Sequence, residues 1–229
     1  MYNSFQLIDA VVNNNASLVD SLIKNDSIDI NIRDDKNNTA LILATKNDNA
    51  EIVSILSKHS LLDVNLSDGI DSALTIAIKR NNAEIVNILT KCSGIDLDIK
   101  DKFGIRALYL AYRNDNKEIM NILIKAGANI NLHNDDGTVS LTCSAFNGKI
   151  DIVKLLVENN ADINIQNSHK STALLLASYN RHIEIVRFLI ENGADCNIKN
   201  DKGATALSIA LKKGFTDITD LLKNAGALE

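Results

Sequence analysis

With 229 residues, an apolar fraction of 45% and a charged fraction of 23%, the chain has the composition of a folded protein, which excludes wholesale disorder. A net charge of −5 argues against a nucleic-acid surface, because displacing phosphate counterions needs a basic patch, and no stretch approaches the ~18 apolar residues of a membrane span. Cys92, Cys143 and Cys196 are odd in number and include no C-x-x-C pair, so neither a disulfide framework nor a zinc site is indicated.

In chain order, residues 5–31 make a first unit in which Asp9 stands where later units place Leu, Ile or Cys. Then a phrase recurs: Thr39-Ala-Leu-Ile-Leu-Ala44, Ser72-Ala-Leu-Thr-Ile-Ala77, Arg106-Ala-Leu-Tyr-Leu-Ala111, Val139-Ser-Leu-Thr-Cys-Ser144, Thr172-Ala-Leu-Leu-Leu-Ala177 and Thr205-Ala-Leu-Ser-Ile-Ala210. Successive starts differ by 33, 34, 33, 33 and 33 residues, a period that marks a repeat array. A second phrase follows each copy, as in Glu51-Ile-Val, Glu84-Ile-Val, Glu118-Ile-Met, Asp151-Ile-Val, Glu184-Ile-Val and Asp217-Ile-Thr. Further apolar pairs such as Ile55-Leu56 give the i, i+3, i+4 spacing of one helix face, so each unit is predicted to carry two short amphipathic helices.

Between the two helices stand Asn14, Asp48, Asn81, Asp115, Gly148, Arg181 and Gly214 in turn. Gly, Asn and Asp tolerate the left-handed backbone that ends helices, so this column predicts a tight turn, with Arg181 the misfit. Each unit closes on an apolar-polar-apolar triplet, from Ile30-Asn31-Ile32 to Cys196-Asn197-Ile198. Period-two alternation predicts extended chain there, read as the stem of a projecting hairpin.

These phrases resemble the ankyrin repeat family, whose consensus runs roughly G-x-T-P-L-H-L-A, then G-H-x-E-I-V, then G-A-D-V-N. Gly104, Gly137 and Gly203 match the first glycine, Gly148 and His182 the middle phrase, and Gly193 to Asn197 the last. The resemblance covers nearly the whole chain. It implies an all-α ankyrin-repeat solenoid of stacked helix-turn-helix units with projecting β-hairpin loops. As one domain over 1–229, the repeats would span 1–34 as an N-terminal cap, 35–67, 68–100, 101–133, 134–166, 167–199, and 200–229 as a C-terminal cap.

The family's proline is replaced by Ala40, Ala73, Ala107, Ser140, Ala173 and Ala206, at a cost of ~0.4–1 kcal/mol per site from a freer unfolded chain. The capping Thr is kept as Thr39, Thr172 and Thr205, is Ser in Ser72, and becomes Arg106 and Val139, where a lost cap costs ~1 kcal/mol. Thr219 replaces the Val of the second phrase, as suits a terminal repeat.

No enzyme motif emerges, so no catalytic residue, cofactor or metal is expected. His182 falls on the family's structural histidine, while His59, His133 and His169 read as loop-borne and unpaired. Cys143 and Cys196 read as buried small hydrophobes, and Cys92 as a thiol in a connection. The carboxylates that open the second helices complement the helix dipole and cap free amides. Glycines such as Gly104 carry no phosphate-binding pattern.

The resemblance implies a concave groove lined by the fingers and the outward side of the first helices. In the fourth unit these positions include Lys102, Phe103, Ile105, Tyr109, Tyr112 and Arg113. In the fifth they include Asp135, Asp136 and Phe146, and in the sixth His169 and Tyr179. Aromatics are only 4% of the chain, and five of them fall on these columns. Tyr and Arg dominate hot spots, so units four to six are expected to hold the binding centre, flanked by Arg80, Arg106, Arg113 and Arg181. The alternative is that some rings, Tyr109 first, pack between units. The function so implied is that of a protein-protein interaction adaptor, with a microbial effector or inhibitor that blocks a host enzyme as the second reading. The partner would be another protein or a peptide, not nucleic acid. The chain is expected to be monomeric and cytoplasmic, or in a host cell if exported.

Overall fold

The computed structural model describes residues 4–25 and 27–228. Among them are fourteen helices: α1 (Phe5–Val12), α2 (Ala16–Leu22), α3 (Ala40–Lys46), α4 (Ala50–Leu56), α5 (Ala73–Lys79), α6 (Ala83–Leu89), α7 (Ala107–Arg113), α8 (Lys117–Ala126), α9 (Ser140–Phe146), α10 (Ile150–Glu158), α11 (Ala173–Tyr179), α12 (Ile183–Glu191), α13 (Ala206–Lys213) and α14 (Thr216–Asn224). They fall into two compact units, Met1–Asn129 (unit one) and Ile130–Glu229 (unit two). In unit one the first helices α1, α3, α5 and α7 form one row and the second helices α2, α4, α6 and α8 another. Unit two repeats the plan with α9, α11 and α13 beside α10, α12 and α14. Each unit is an ankyrin-type solenoid of helix-turn-helix repeats.

Local chemistry sets these boundaries. Ser72 and Thr205 open α5 and α13 with full capping boxes, each hydroxyl accepting from the amide three residues on while that residue's hydroxyl accepts from the cap's own amide. Thr39 and Thr172 cap α3 and α11, whereas Arg106 and Val139 make no side-chain cap, as the sequence implies. Every residue of the turn column has positive φ, from 53° at Asn14 and Asp48 to 71° at Gly148, and Arg181 joins them at 58°. The turn is a Schellman motif: the amide of Asn49 reaches Ala44 O at 3.0 Å and that of Asp48 reaches Thr45 O at 3.1 Å. The residue after the left-handed one immediately caps the second helix.

That cap corrects one expectation. The free amides at the start of α2, α4, α6 and α8 are met by Asn15, Asn49, Asn82 and Asn116, not by the following carboxylates. Glu51, Glu84 and Glu118 sit in the first turn, where they complement the helix dipole. The same asparagines tie repeat to repeat: the side-chain amides of Asn49, Asn82 and Asn116 donate to the side-chain oxygens of Asn14, Asp48 and Asn81 in the preceding turns. In unit two Lys149, His182 and Phe215 hold the cap position and make no side-chain cap. The His182 ring there lies against Gly148, where an added Cβ would come within 2.7 Å of it, and Nε2 is 3.0 Å from Phe146 O.

The core is aliphatic. The Leu of the phrase is buried in every copy (Leu41, Leu74, Leu108, Leu141, Leu174, Leu207), as are Ile52, Val53, Ile85, Val86, Ile152 and Val153 of the second helices. Each such side chain contributes about 1.5–3 kcal/mol relative to exposure. Ala40, Ala73, Ala107 and Ala173 are fully buried at the first helical position, so the residue that replaces the family's proline also packs.

The triplets are turns and not extended stems. Asp29, Asp63, Asp96, Asp162 and Asp195 each accept a hydrogen bond from the amide two residues on, bending the chain. The middle residue then reaches the next repeat: Asn31, Asn65, Asp98, Asn131, Asn164 and Asn197 accept from the amides of Asp63, Asp96, Asn129, Asp162, Asp195 and Leu228. Strand pairing among the described residues is limited to three isolated bridges, Arg33 with Thr39, Ser67 with Ser72 and Lys100 with Arg106. The projecting hairpins are therefore compact loops. No described helix is long and apolar enough to cross a membrane.

Candidate functional site: the finger loops and first-helix face

Each finger is a short loop closed by one backbone bond, as between Asp101 N and Ile105 O at 2.9 Å or Asn200 N and Ala204 O at 3.0 Å. The side chain at its base accepts two amides of its own loop. Asp101 Oδ1 takes those of Phe103 and Ile105, and Asn200 Oδ1 takes those of Lys202 and Ala204. The fourth residue is left-handed, as at Asn37, Gly104, Gly137, Lys170 and Gly203. This geometry holds the tip outward, and tips are laced together through Lys102 N to Ile70 O at 3.1 Å and Asp201 N to His169 O at 3.1 Å.

In unit one the loop base is charged and paired. Lys46 Nζ lies 2.7 Å from Asp68, and Lys79 Nζ lies 2.6 Å from Asp71 and 3.0 Å from Asp101. Burial pushes the Asp68 and Asp101 carboxyls up, yet the lysine and backbone N–H donors hold both below the ordinary 3.8. Burial likewise pushes Lys79 down, and its two aspartate partners hold it above its usual value. Arg80 pairs with Asp48, whose carboxyl is lowered chiefly by that hydrogen bond.

Unit two differs along the same column. The residues in the register of Lys46 and Lys79 are Phe146, Tyr179 and Lys212, and the loop bases are Asn134, Asn167 and Asn200. Phe146 is 43% and Tyr179 45% exposed. They sit at a groove of about 960 Å³ formed by α11, α13 and the loops around His169 and Asp201, with Leu176 and Ile209 on its wall. Lys202, Lys212 and Lys213 line it, and Lys213 Nζ is 3.6 Å from the Tyr179 ring centroid. His169 Nδ1 lies 3.5 Å from Asp201.

The residues expected from sequence to bind a partner divide between the units. Lys102, Phe103, Ile105, Tyr109, Tyr112 and Arg113 lie in unit one, and Phe146, Tyr179 and Arg181 in unit two. Phe103 is 69% exposed on a finger tip, with Lys102 Nζ 5.0 Å from its centroid. Arg113 is exposed at the end of α7. Ile105 and Tyr112 are corrections, because both are buried and cannot meet a partner. Tyr112 shares its column with Thr45 and Ile78, which are fully buried, so this face of the first helix points inward. Tyr109 is half-buried, its ring 5.2 Å from that of Tyr112. Arg181 is engaged within the fold, 3.1 Å from Asp217 and 5.3 Å from the Phe215 ring.

Lys202, Lys212 and Lys213 were not anticipated. The visible signal was the register of Lys212 with Phe146 and Tyr179, which a search for aromatics passes over. The loop histidines are also partnered, contrary to expectation: His59 Nδ1 accepts the Leu61 amide at 3.2 Å and His133 Nε2 is 2.8 Å from Gln166 O. Cys143 is half-buried where a buried residue was expected, and Cys196 is buried. Burial pushes the Cys92 and Cys196 thiols up, the latter with help from Asp195, away from nucleophilic thiolate. No cluster of three or more His, Cys, Asp or Glu suited to a metal occurs among the described residues.

Known proteins place the fold. Family profiles described as ankyrin repeats (3 copies) match residues 7–101 and 93–167, and one described as ankyrin repeats (many copies) matches residues 155–210. No curated protein matches the chain. Among solved structures, the ankyrin repeat domain of Bcl-3, described as a unique member of the IkappaB protein family, is similar at a TM-score of 0.82 and 25% identity, covering 95% of this chain and 97% of that one. Phased caps, left-handed turns and laced loops thus coincide with profile matches over most of the length, and the chain belongs to the ankyrin repeat family.

Proposed function

We propose that unit two receives a segment of another protein in the groove between its finger loops and first helices, with Phe146 and Tyr179 as anchors. The finger tip carrying Lys102 and Phe103, with Arg113 on α7, offers a separate contact in unit one. An ankyrin-repeat chain is in general a protein-protein interaction module, and this reading names the surface used. The observation that carries it is the exposure of two aromatic side chains, 43% and 45%, at one groove of a chain that is only 4% aromatic. Exposed rings beside an apolar wall lose water favourably on contact, and such anchors dominate binding energy. A chain that blocks an enzyme would use the same surface, so the identity of the captured protein separates adaptor from inhibitor.

The test is affinity capture by the intact chain, followed by titration of the captured protein against variants. Phe146→Ala with Tyr179→Ala is expected to weaken binding by about tenfold or more, while Arg187→Ala on α12 leaves it unchanged. Equal affinity of a folded double variant would sink the reading.

A further inference from the structure

We infer that the segment received by the unit-two groove is acidic, carrying carboxylates around one apolar residue; this deepens the groove reading and rests on it. The chain as a whole is net −5, yet the groove is lined by Lys202, Lys212 and Lys213 against the single carboxylate Asp201, which already faces His169. None of the three lysines has a carboxylate partner among the described residues. The contrast lies within the same fold: Lys46 and Lys79 of unit one are neutralised by Asp68, Asp71 and Asp101. In unit two asparagine occupies the loop base, so a carboxylate on a bound molecule would meet cations that the fold itself does not pair.

The helix dipole accounts for lysines in the last turn of α13, but not for Lys202 on the finger tip. Lys213, held over the Tyr179 ring, sets a cation beside the apolar anchor, so an occupant needs both an apolar group and a nearby carboxylate. The wall itself is apolar, with Leu176 and Ile209 beside Tyr179. No arginine, the side chain that pairs bidentately with phosphate, lines the groove, and its wall is apolar, which favours a peptide over a nucleic acid. Charge complementarity of this kind directs encounter and selects among partners.

The test pans a random-peptide display library on the full chain and titrates the best synthetic peptide against two folded variants, with thermal midpoints as the folding control. Enriched peptides should be net negative around one apolar residue. Lys202→Gln with Lys212→Gln and Lys213→Gln should weaken the best peptide by about tenfold or more. Binding should also weaken as NaCl rises from about 50 to about 500 mM. Neutral or basic peptides, no enrichment, or affinity unchanged by the glutamine variant would overturn the inference. If Phe146→Ala with Tyr179→Ala abolishes binding of neutral peptides, the groove reading stands and the acidic one falls. If neither variant weakens binding, both fall. A single-stranded oligonucleotide that binds more tightly than the best peptide would overturn the choice of peptide.

Discussion

Asp68 and Asp101 at the finger bases of unit one hold Lys46 and Lys79 of the preceding helices, whereas unit two has Asn167 and Asn200 in those places and Phe146 and Tyr179 on the helices before them. Asp101, Asn167 and Asn200 bend their loops alike, since a carboxylate or an amide oxygen accepts the amides two and four residues on. Asp68 does the same in a loop one residue shorter through the amides of Ile70 and Asp71. The charge of the base differs. The second helices diverge in parallel, with asparagine caps laced to the preceding turn in unit one and, at His182, an imidazole seated on Gly148 in unit two. One architecture can therefore close its first-helix face with internal ion pairs or leave aromatic and cationic groups exposed on it.

The largest expected effect tests what the units share. Leu74→Ala in unit one and Leu207→Ala in unit two each remove a fully buried side chain, and each should cost about 2–5 kcal/mol in urea unfolding. A negligible loss in either would break the equivalence of the two cores.

The next sharpens what separates them. Asp101→Asn gives a unit-one finger the base found in unit two, keeping the acceptor for Phe103 and Ile105 while removing one of the two carboxylates that hold Lys79, with Asp71 remaining; it should cost about 1–2 kcal/mol at neutral pH. Asp68 and Asp101 have folded-state pKa values below the unfolded 3.8. Their stabilisation is complete above that value and disappears as pH falls below it toward the folded value. Wild type should thus lose stability more steeply than Asp101→Asn below pH 3.8, read by unfolding at stepped acid pH.

Smaller still, Val139→Thr supplies the cap that α9 lacks and should raise unfolding free energy by up to about 1 kcal/mol. The mildest change is Arg181→Gly, which relieves a left-handed φ of 58° but removes the Asp217 pair and the Phe215 contact. Those terms oppose, and the net shift should stay within about 0.5 kcal/mol by thermal unfolding.

Much of this was legible in the residues. The recurring phrase located the helices, the caps at Thr39, Ser72, Thr172 and Thr205 followed from residue type, and the turn column marked the left-handed turns between paired helices, although Arg181, the misfit by residue type, adopts the same backbone. The triplets misled because Ile30-Asn31-Ile32 alternates like a strand, while Asp29 immediately before it supplies the side-chain acceptor that bends it into a turn. Tyr112 was misplaced because aromaticity was weighed above register, although Thr45 and Ile78 in its column are small or aliphatic and sit in the core. The lysines of the groove escaped notice because their significance is relational. Only the geometry reveals that Lys46 and Lys79 are neutralised and Lys202 and Lys212 are not.

The central claim is that unit two offers an open, cationic and aromatic groove, whereas Lys46 and Lys79 of unit one are tied into ion pairs within the fold. Lysine acylation footprinting of the chain, free and in complex with its captured partner, tests it most directly. The account predicts that Lys202 and Lys212 react readily in the free chain and are shielded in the complex, with Lys46 and Lys79 slow to react in both. Shielding confined to Lys46 and Lys79, with Lys202 and Lys212 still reactive in the complex, would contradict it.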